Sequence, residues 1–294
     1  MTAPMPFVAL VTCFDDDETL NYAATRRQVR RQVEAGNNIL CCGTNGDFTA
    51  LTFEEKVRLT AEVVAEAGGK VKVFANAGTP STYETVLLAK AMAKEGVDGL
   101  AVITPYFIAC TQDGLFAHFS RVADAVDRPV YLYDIPARTQ NHIEPATAAR
   151  LAEHPNILGI KDSGGGKDSL DAYLAVAAAR DDFDVFSGPD SLVLYALSKG
   201  ARGCISGLGN VMPKVVNTIC RAFGAGDTAG AEAAQETFTA LRVDLYALGY
   251  PPAMVKRALY LMDGSVGASR QPALVPTADL DAKIRAILAR HGLA

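Results

Sequence analysis

The chain has 294 residues, 49% of them hydrophobic and 21% charged, with a net charge of -5 and an isoelectric point near 5.4. That is enough apolar material for one large core. The acidic balance, without a run of lysines and arginines, argues against nucleic acid or an anionic membrane as a partner.

Strand-like and helix-like segments alternate along the chain. Phe7–Val11 reads as a strand and Thr19–Ala35 as a helix, on which Arg26-Arg27 and Arg30-Arg31 form a solvated face. Asn38–Cys42 then leads to Glu54–Ala67, Val71–Ala75 to Thr82–Glu95, and Gly99–Ile103 to Asp113–Val126. In that fourth helix Leu115, Phe119, Val122 and Val126 recur on one face. Val130–Tyr133 precedes Pro145–Glu153, and Ile157–Lys161 precedes Leu170–Ala179. Phe183–Ser187 precedes Ser191–Ser198, and Ala201–Ser206 precedes Pro213–Phe223. Gly36, Gly68, Gly96 and Gly200 stand where helix C-caps are needed. Eight strand–helix units predict parallel strands closed as a (β/α)8 TIM barrel over residues 1–229. An open doubly wound sheet is the runner-up, weakened because no G-x-G-x-x-G follows the first strand. Residues 230–294 read as a helical extension packed on the barrel, broken near Gly249–Pro252 and Pro272–Pro276.

The six cysteines contain no C-x-x-C, and the four histidines have no metal-ligand spacing. Buried free thiols in a reducing cytoplasm, and no metal, are the expectation. Cys41 and Cys42, adjacent in a strand, are expected to face opposite ways. No segment approaches the length of a membrane span, and Pro4 and Pro6 interrupt the apolar N-terminus.

Barrel chemistry gathers at the C-terminal ends of strands, and the reactive residue types fall there. The second strand runs into Gly43-Thr44-Asn45-Gly46-Asp47, and the fourth into Tyr106-Phe107. The fifth ends in Tyr133-Asp134-Ile135-Pro136-Ala137-Arg138, the sixth in Lys161, the seventh in Ser187-Gly188-Pro189-Asp190, and the eighth in Ile205-Ser206-Gly207. Each has a bland reading: a tight Asn-Gly turn, a core tyrosine, a surface arginine, a lysine reaching past the strand end to water. Gly164-Gly165-Gly166-Lys167 fails the phosphate-loop template and reads as a turn. Joint placement favours chemistry. A buried strand-end amine is a nucleophile toward the ketone of a 2-oxo acid, and the resulting iminium is an electron sink. Tyr133 is placed to shuttle protons, and Thr44 adds a hydroxyl at the same barrel mouth. Backbone N–H groups around Thr44-Asn45 suit the substrate carboxylate, and Arg138 suits a second, distal one. Tyr106, Phe107, Gly188 and Ile205 complete the candidate substrate contacts.

At these residues the chain resembles the pyruvate-dependent Schiff-base aldolases. These include dihydrodipicolinate synthase, N-acetylneuraminate lyase, 2-keto-3-deoxy sugar acid aldolases and 4-hydroxy-2-oxoglutarate aldolase. Gly43–Asp47 looks like the family's Gly-(Thr/Ser)-x-Gly-Glu loop, Tyr133–Pro136 like its Tyr-Asn-x-Pro, and Gly159-Ile160-Lys161 like its Gly-x-Lys. The resemblance spans nearly the whole chain. It implies a barrel, a covalent Schiff base on Lys161 with no other cofactor, and a homotetramer built as a dimer of dimers. The synthase's second loop threonine is Asn45 here, and its interface relay tyrosine is Phe107, which cannot pass a proton. Its Arg-Thr-Gly is Arg138-Thr139-Gln140, and Phe53 and Lys56 stand where some synthases carry feedback-site histidines, so lysine inhibition is not expected. The leading expectation is a class I aldolase that splits a 4-hydroxy-2-oxo acid into pyruvate and an aldehyde. The alternatives are the synthase, a deoxy-keto sugar acid dehydratase, and a non-catalytic 2-oxo acid binding protein.

Overall fold

The structure, a computed structural model, describes residues 3–293. Eight strands are Met5–Ala9 (β1), Asn38–Cys41 (β2), Val73–Asn76 (β3), Gly99–Ile103 (β4), Val130–Asp134 (β5), Ile157–Asp162 (β6), Asp184–Ser187 (β7) and Gly203–Ser206 (β8). Each pairs in parallel with the next, and β1 pairs with β8 to close a barrel. The helices are Tyr22–Glu34 (α1), Phe53–Ala67 (α2), Thr82–Lys94 (α3), Gln112–Asp124 (α4), Pro136–Thr139 (α5), Pro145–Ala152 (α6), Lys167–Ala177 (α7), Val193–Ser198 (α8) and Pro213–Gly224 (α9). Thr228–Tyr246 (α10), Pro251–Met262 (α11) and Ala278–Arg290 (α12) follow as C-terminal helices. This is the expected (β/α)8 TIM barrel.

Local chemistry explains where the first helix starts. The first helix begins at Tyr22, because the Asn21 side chain accepts the Ala24 N–H at 2.8 Å. The expected C-cap glycines Gly36, Gly68, Gly96 and Gly200 all take positive φ, between +57° and +100°. Leu115, Phe119 and Val122 are buried under α4, whereas Val126 lies past its end. Arg138, read as a loop residue, sits on α5, whose first residue is a proline.

Alternation along the strands sorts the interior into levels. Phe7, Phe74, Tyr131 and Phe186 fill the lower barrel. Phe74 lies 4.5 Å from Phe7 and 4.6 Å from Tyr131, ring centre to ring centre. Gly159 and Gly99 leave room for these rings: a Cβ at Gly159 would lie 2.9 Å from Tyr131 Cδ1, and one at Gly99 would lie 2.8 Å from Phe74. One step further along, Tyr133 and Lys161 occupy the inward positions above this layer.

His118 on α4 accepts or donates one bond, Nδ1 to Thr82 Oγ1 at 2.9 Å, and its buried Nε2 has no partner. Burial pushes the imidazole down to about 4 from its ordinary 6.5. Between pH 6.5 and 4 the unfolded chain takes up a proton here that the folded chain refuses. Stability therefore falls as pH drops through that window and levels off below it. The expected loss is roughly 3 kcal/mol. Urea midpoints measured across the window should show this slope in the wild type and a flatter one in His118→Leu.

Candidate active site

The site is built on the ends of β5 and β6. Their register places Tyr133 beside Lys161 and Asp134 beside Asp162. Lys161 is 4% exposed, and its Nζ lies 4.0 Å from the centre of the Tyr133 ring. It makes no ion pair among the described residues. The Tyr133 hydroxyl, on a ring that is 1% exposed, lies 2.9 Å from Thr44 Oγ1. Thr44 opens the turn Thr44–Gly46, which is pinned by the Thr12 hydroxyl donating to the Gly46 carbonyl at 2.7 Å. Asp47, at φ 52°, closes the loop and turns its carboxylate toward Lys256 on α11, 3.3 Å away. Burial lowers the Lys256 ammonium, and Asp47 opposes that shift. Its Nζ also donates to the Thr12 carbonyl. A C-terminal helix thus anchors the loop that carries Thr44.

Above these residues lies a cavity of about 220 Å³. Seven predicted residues line it: Thr44, Asn45, Tyr133, Arg138, Lys161, Gly188 and Ile205. Tyr106 and Phe107, expected as substrate contacts, do not line it in this chain. Tyr106 packs edge-on against Phe48, 5.7 Å between ring centres. Phe107, at φ 75°, turns its ring outward and is 94% exposed. Gly188 is needed where it stands, because a Cβ there would meet Ser163 Oγ at 2.0 Å.

The cavity also contains residues that the sequence did not single out. Arg242 and Tyr246 come from α10, and Pro251 and Pro252 from the start of α11. Their local pattern is that of an ordinary helix face and an N-terminal proline pair, so no motif marks them. Asp190 is buried in the wall, where it accepts from the Ser206 hydroxyl, the Leu208 N–H and the Tyr246 hydroxyl. Burial raises its carboxyl above the usual range.

Asp134 points away from the cavity. Its carboxylate meets His142 Nδ1 at 2.8 Å and accepts from the Ile143 N–H and the Tyr173 hydroxyl at 3.0 Å each. Asp162 lies beside it on the outer face and accepts from the Gly164 N–H and the Ser169 hydroxyl, while its Oδ2 has no partner. Burial raises both carboxyls. The two therefore brace the layer behind the strand ends rather than touching the phenol. Cys41 and Cys42 do not face opposite ways as expected. Cys42 adopts φ 54°, and both thiols come within 3.8 Å of the Thr60 hydroxyl. The strand ends at Cys41, and the left-handed residue swings the next side chain to the same side.

Residues 5–291 match the Dihydrodipicolinate synthetase family. The chain belongs to that family. It is thus a carbon–carbon lyase of the class I, Schiff-base pyruvate aldolase type. A 4-hydroxy-tetrahydrodipicolinate synthase of Moorella thermoacetica is 37% identical over 286 residues, which is 97% of each chain. Dihydrodipicolinate synthase of Thermotoga maritima superposes with a TM-score of 0.93 at 32% identity, covering 100% of both chains. YagE, a prophage protein of the same family from E. coli K12 solved with pyruvate, gives 0.93 at 27% identity and covers 99% of both. No helix among the described residues is long and apolar enough to cross a membrane.

Proposed function

We propose that this protein is a class I aldolase that reversibly splits a 4-hydroxy-2-oxo acid into pyruvate and an aldehyde. The observation that carries the reading is the set Lys161, Tyr133 and Thr44, with the amine 4.0 Å from the phenol ring and the phenol 2.9 Å from the threonine. Lys161 Nζ adds to the C2 ketone, and the carbinolamine loses water to give the iminium. The C4 hydroxyl then yields its proton to Tyr133 as the C3–C4 bond breaks. The electron pair passes into the enamine and the aldehyde departs. Protonation at C3 and hydrolysis release pyruvate and restore the amine. Thr44 holds the phenol in register and passes its proton on. The backbone around Thr44-Asn45 receives the C1 carboxylate, and no cofactor other than the covalent Schiff base takes part.

Phe107 favours the aldolase over the synthase, because it offers no hydroxyl where the resemblance expects a relay tyrosine. A second reading, condensation of pyruvate with aspartate semialdehyde, is favoured by the name of the Moorella relative and by Arg138. Borohydride trapping with pyruvate, followed by product analysis, tests both. An adduct on Lys161 with pyruvate released from 4-hydroxy-2-oxoglutarate supports the aldolase. Efficient ring-forming condensation supports the synthase, and water loss without C–C cleavage supports a dehydratase.

Tyr133→Phe is expected to lower kcat by about 10²- to 10³-fold, the range of a lost proton shuttle. Thr44→Val should cost less, because the phenol remains. Steady-state rates with the adduct yield held as a control check the order. We further propose a homotetramer in the cytoplasm, consistent with six free cysteines and the exposed Phe107 and Ile108. Residues 230–294 are taken as part of the same unit, since Arg242 and Pro251 lie in the cavity wall.

A further inference from the structure

Lys256 on α11 is 2% exposed, a costly place for an ammonium. Its Nζ donates to the Thr12 carbonyl, lies 3.3 Å from Asp47 Oδ2 and stands 4.7 Å from the centre of the Phe14 ring. The neighbouring Cys13 brings no counter-charge, because burial pushes its thiol up to about 11. The Asp47 carboxylate has no other hydrogen-bond partner among the described residues. Arg270, the other cation over Phe14 at 4.7 Å, is committed to Glu55. One carboxylate, one carbonyl and one ring face therefore hold the Lys256 charge. A methionine would fill the space without the desolvation cost.

The ammonium does one thing that a methionine cannot: it ties three pieces of chain together by directed bonds. Thr12 follows β1, Asp47 closes the Thr44–Gly46 turn, and α11 belongs to the C-terminal helices. Thr12 also reaches the turn by its own hydroxyl, 2.7 Å from the Gly46 carbonyl. Gly46 has no slack on that side, since a Cβ there would lie 2.9 Å from the Leu10 carbonyl oxygen. The turn is thus clamped at Gly46 and Asp47, and Thr44 at its head meets the Tyr133 hydroxyl at 2.9 Å. A slip of about 1 Å would break that hydrogen bond and the proton path through it. Lys161 stands on β6, outside the clamp, and Lys256 does not line the cavity.

We propose that Lys256 is a positioning residue for proton transfer: through Asp47 and Thr12 it holds the Thr44 hydroxyl at Tyr133, while Schiff-base formation at Lys161 does not depend on it. This rests on the Lys161–Tyr133–Thr44 part of the reading above, whichever aldehyde the enzyme accepts.

The test follows exchange of the pyruvate methyl hydrogens with heavy water by NMR. This reaction needs the iminium and the relay but no aldehyde. The iminium gives up a C3 proton to become the enamine and regains a deuteron, and hydrolysis releases labelled pyruvate. Rates are counted per site trapped by borohydride, so unfolded protein does not enter. K256M should lower kcat for exchange about ten-fold or more, with KM for pyruvate and the saturated adduct yield unchanged. K256R should recover part of the loss. K256M/D47N removes both charges, so its melting temperature should return toward that of the wild type while its rate stays low. In the T44V background K256M should lower the rate no further, because the group it positions is gone. An unchanged exchange rate in K256M, an equal loss in the T44V background, or recovery of rate together with melting temperature in K256M/D47N overturns the assignment. Exchange and adduct without cleavage of any 4-hydroxy-2-oxo acid would sink the aldolase reading instead, and the exchange rates would still decide the role of Lys256.

Discussion

Lys161→Ala is expected to lower turnover by on the order of 10⁴-fold or more, because the covalent route is lost and not merely slowed. The borohydride adduct with pyruvate should vanish with it. The fold should survive: Lys161 makes no ion pair among the described residues, and the substitution removes a polar amine from a site that is 4% exposed. A melting temperature at or above that of the wild type checks this. Lys256 is the competing nucleophile, since it is also buried. It lies outside the cavity wall, however, and its amine is tied to Asp47 and the Thr12 carbonyl. A pyruvyl adduct that persists in Lys161→Ala and maps to Lys256 would refute the assignment.

Gly159→Ala should produce a large loss of stability. The added Cβ would lie 2.2 Å from the Asp184 carbonyl oxygen and 2.9 Å from the Tyr131 ring. The ring has some freedom to tilt. The carbonyl belongs to the neighbouring strand, paired with β6 in the register Gly159 to Asp184, and moves only if the strands part. A cost of about 3 kcal/mol or more is expected, a large share of the ~5–15 kcal/mol typical of a folded domain. Gly264 is the control: nothing lies within 4 Å of its notional Cβ, so alanine there should change stability by about 0.5 kcal/mol or less. Urea midpoints of the two variants decide the matter, and a Gly159→Ala midpoint equal to the control's would contradict the strand packing.

The barrel was legible because each βα unit carries its own local signal, an apolar strand followed by an amphipathic helix, and four of the eight add a capping glycine. Lys161 and Tyr133 were legible for the same reason: strand-end position follows from the local pattern. Arg242 was not, because an arginine on a helix looks alike whether it faces water or a cavity assembled from strand ends as far back in the chain as Thr44. Asp134 follows Tyr133 in sequence, yet strand alternation and register turn its carboxylate to the outer face, toward His142. The Cys41–Cys42 expectation failed on one backbone angle, the positive φ of Cys42, which no composition rule anticipates. Phe107 was singled out as a departure, but its outward orientation depends on a left-handed turn at its own position.

The aromatic layer of Phe7, Phe74, Tyr131 and Phe186 closes the barrel beneath Lys161. Traffic to and from the amine must therefore use the side on which the strands end. On the proposed chemistry two products form in a space with one approach, and one of them remains covalently attached. The aldehyde has to diffuse away first, while pyruvate still waits for water to cut its bond to the lysine. The kinetic sequence is then fixed by architecture: an ordered release, with pyruvate as the product that competes with the incoming keto acid for the free enzyme.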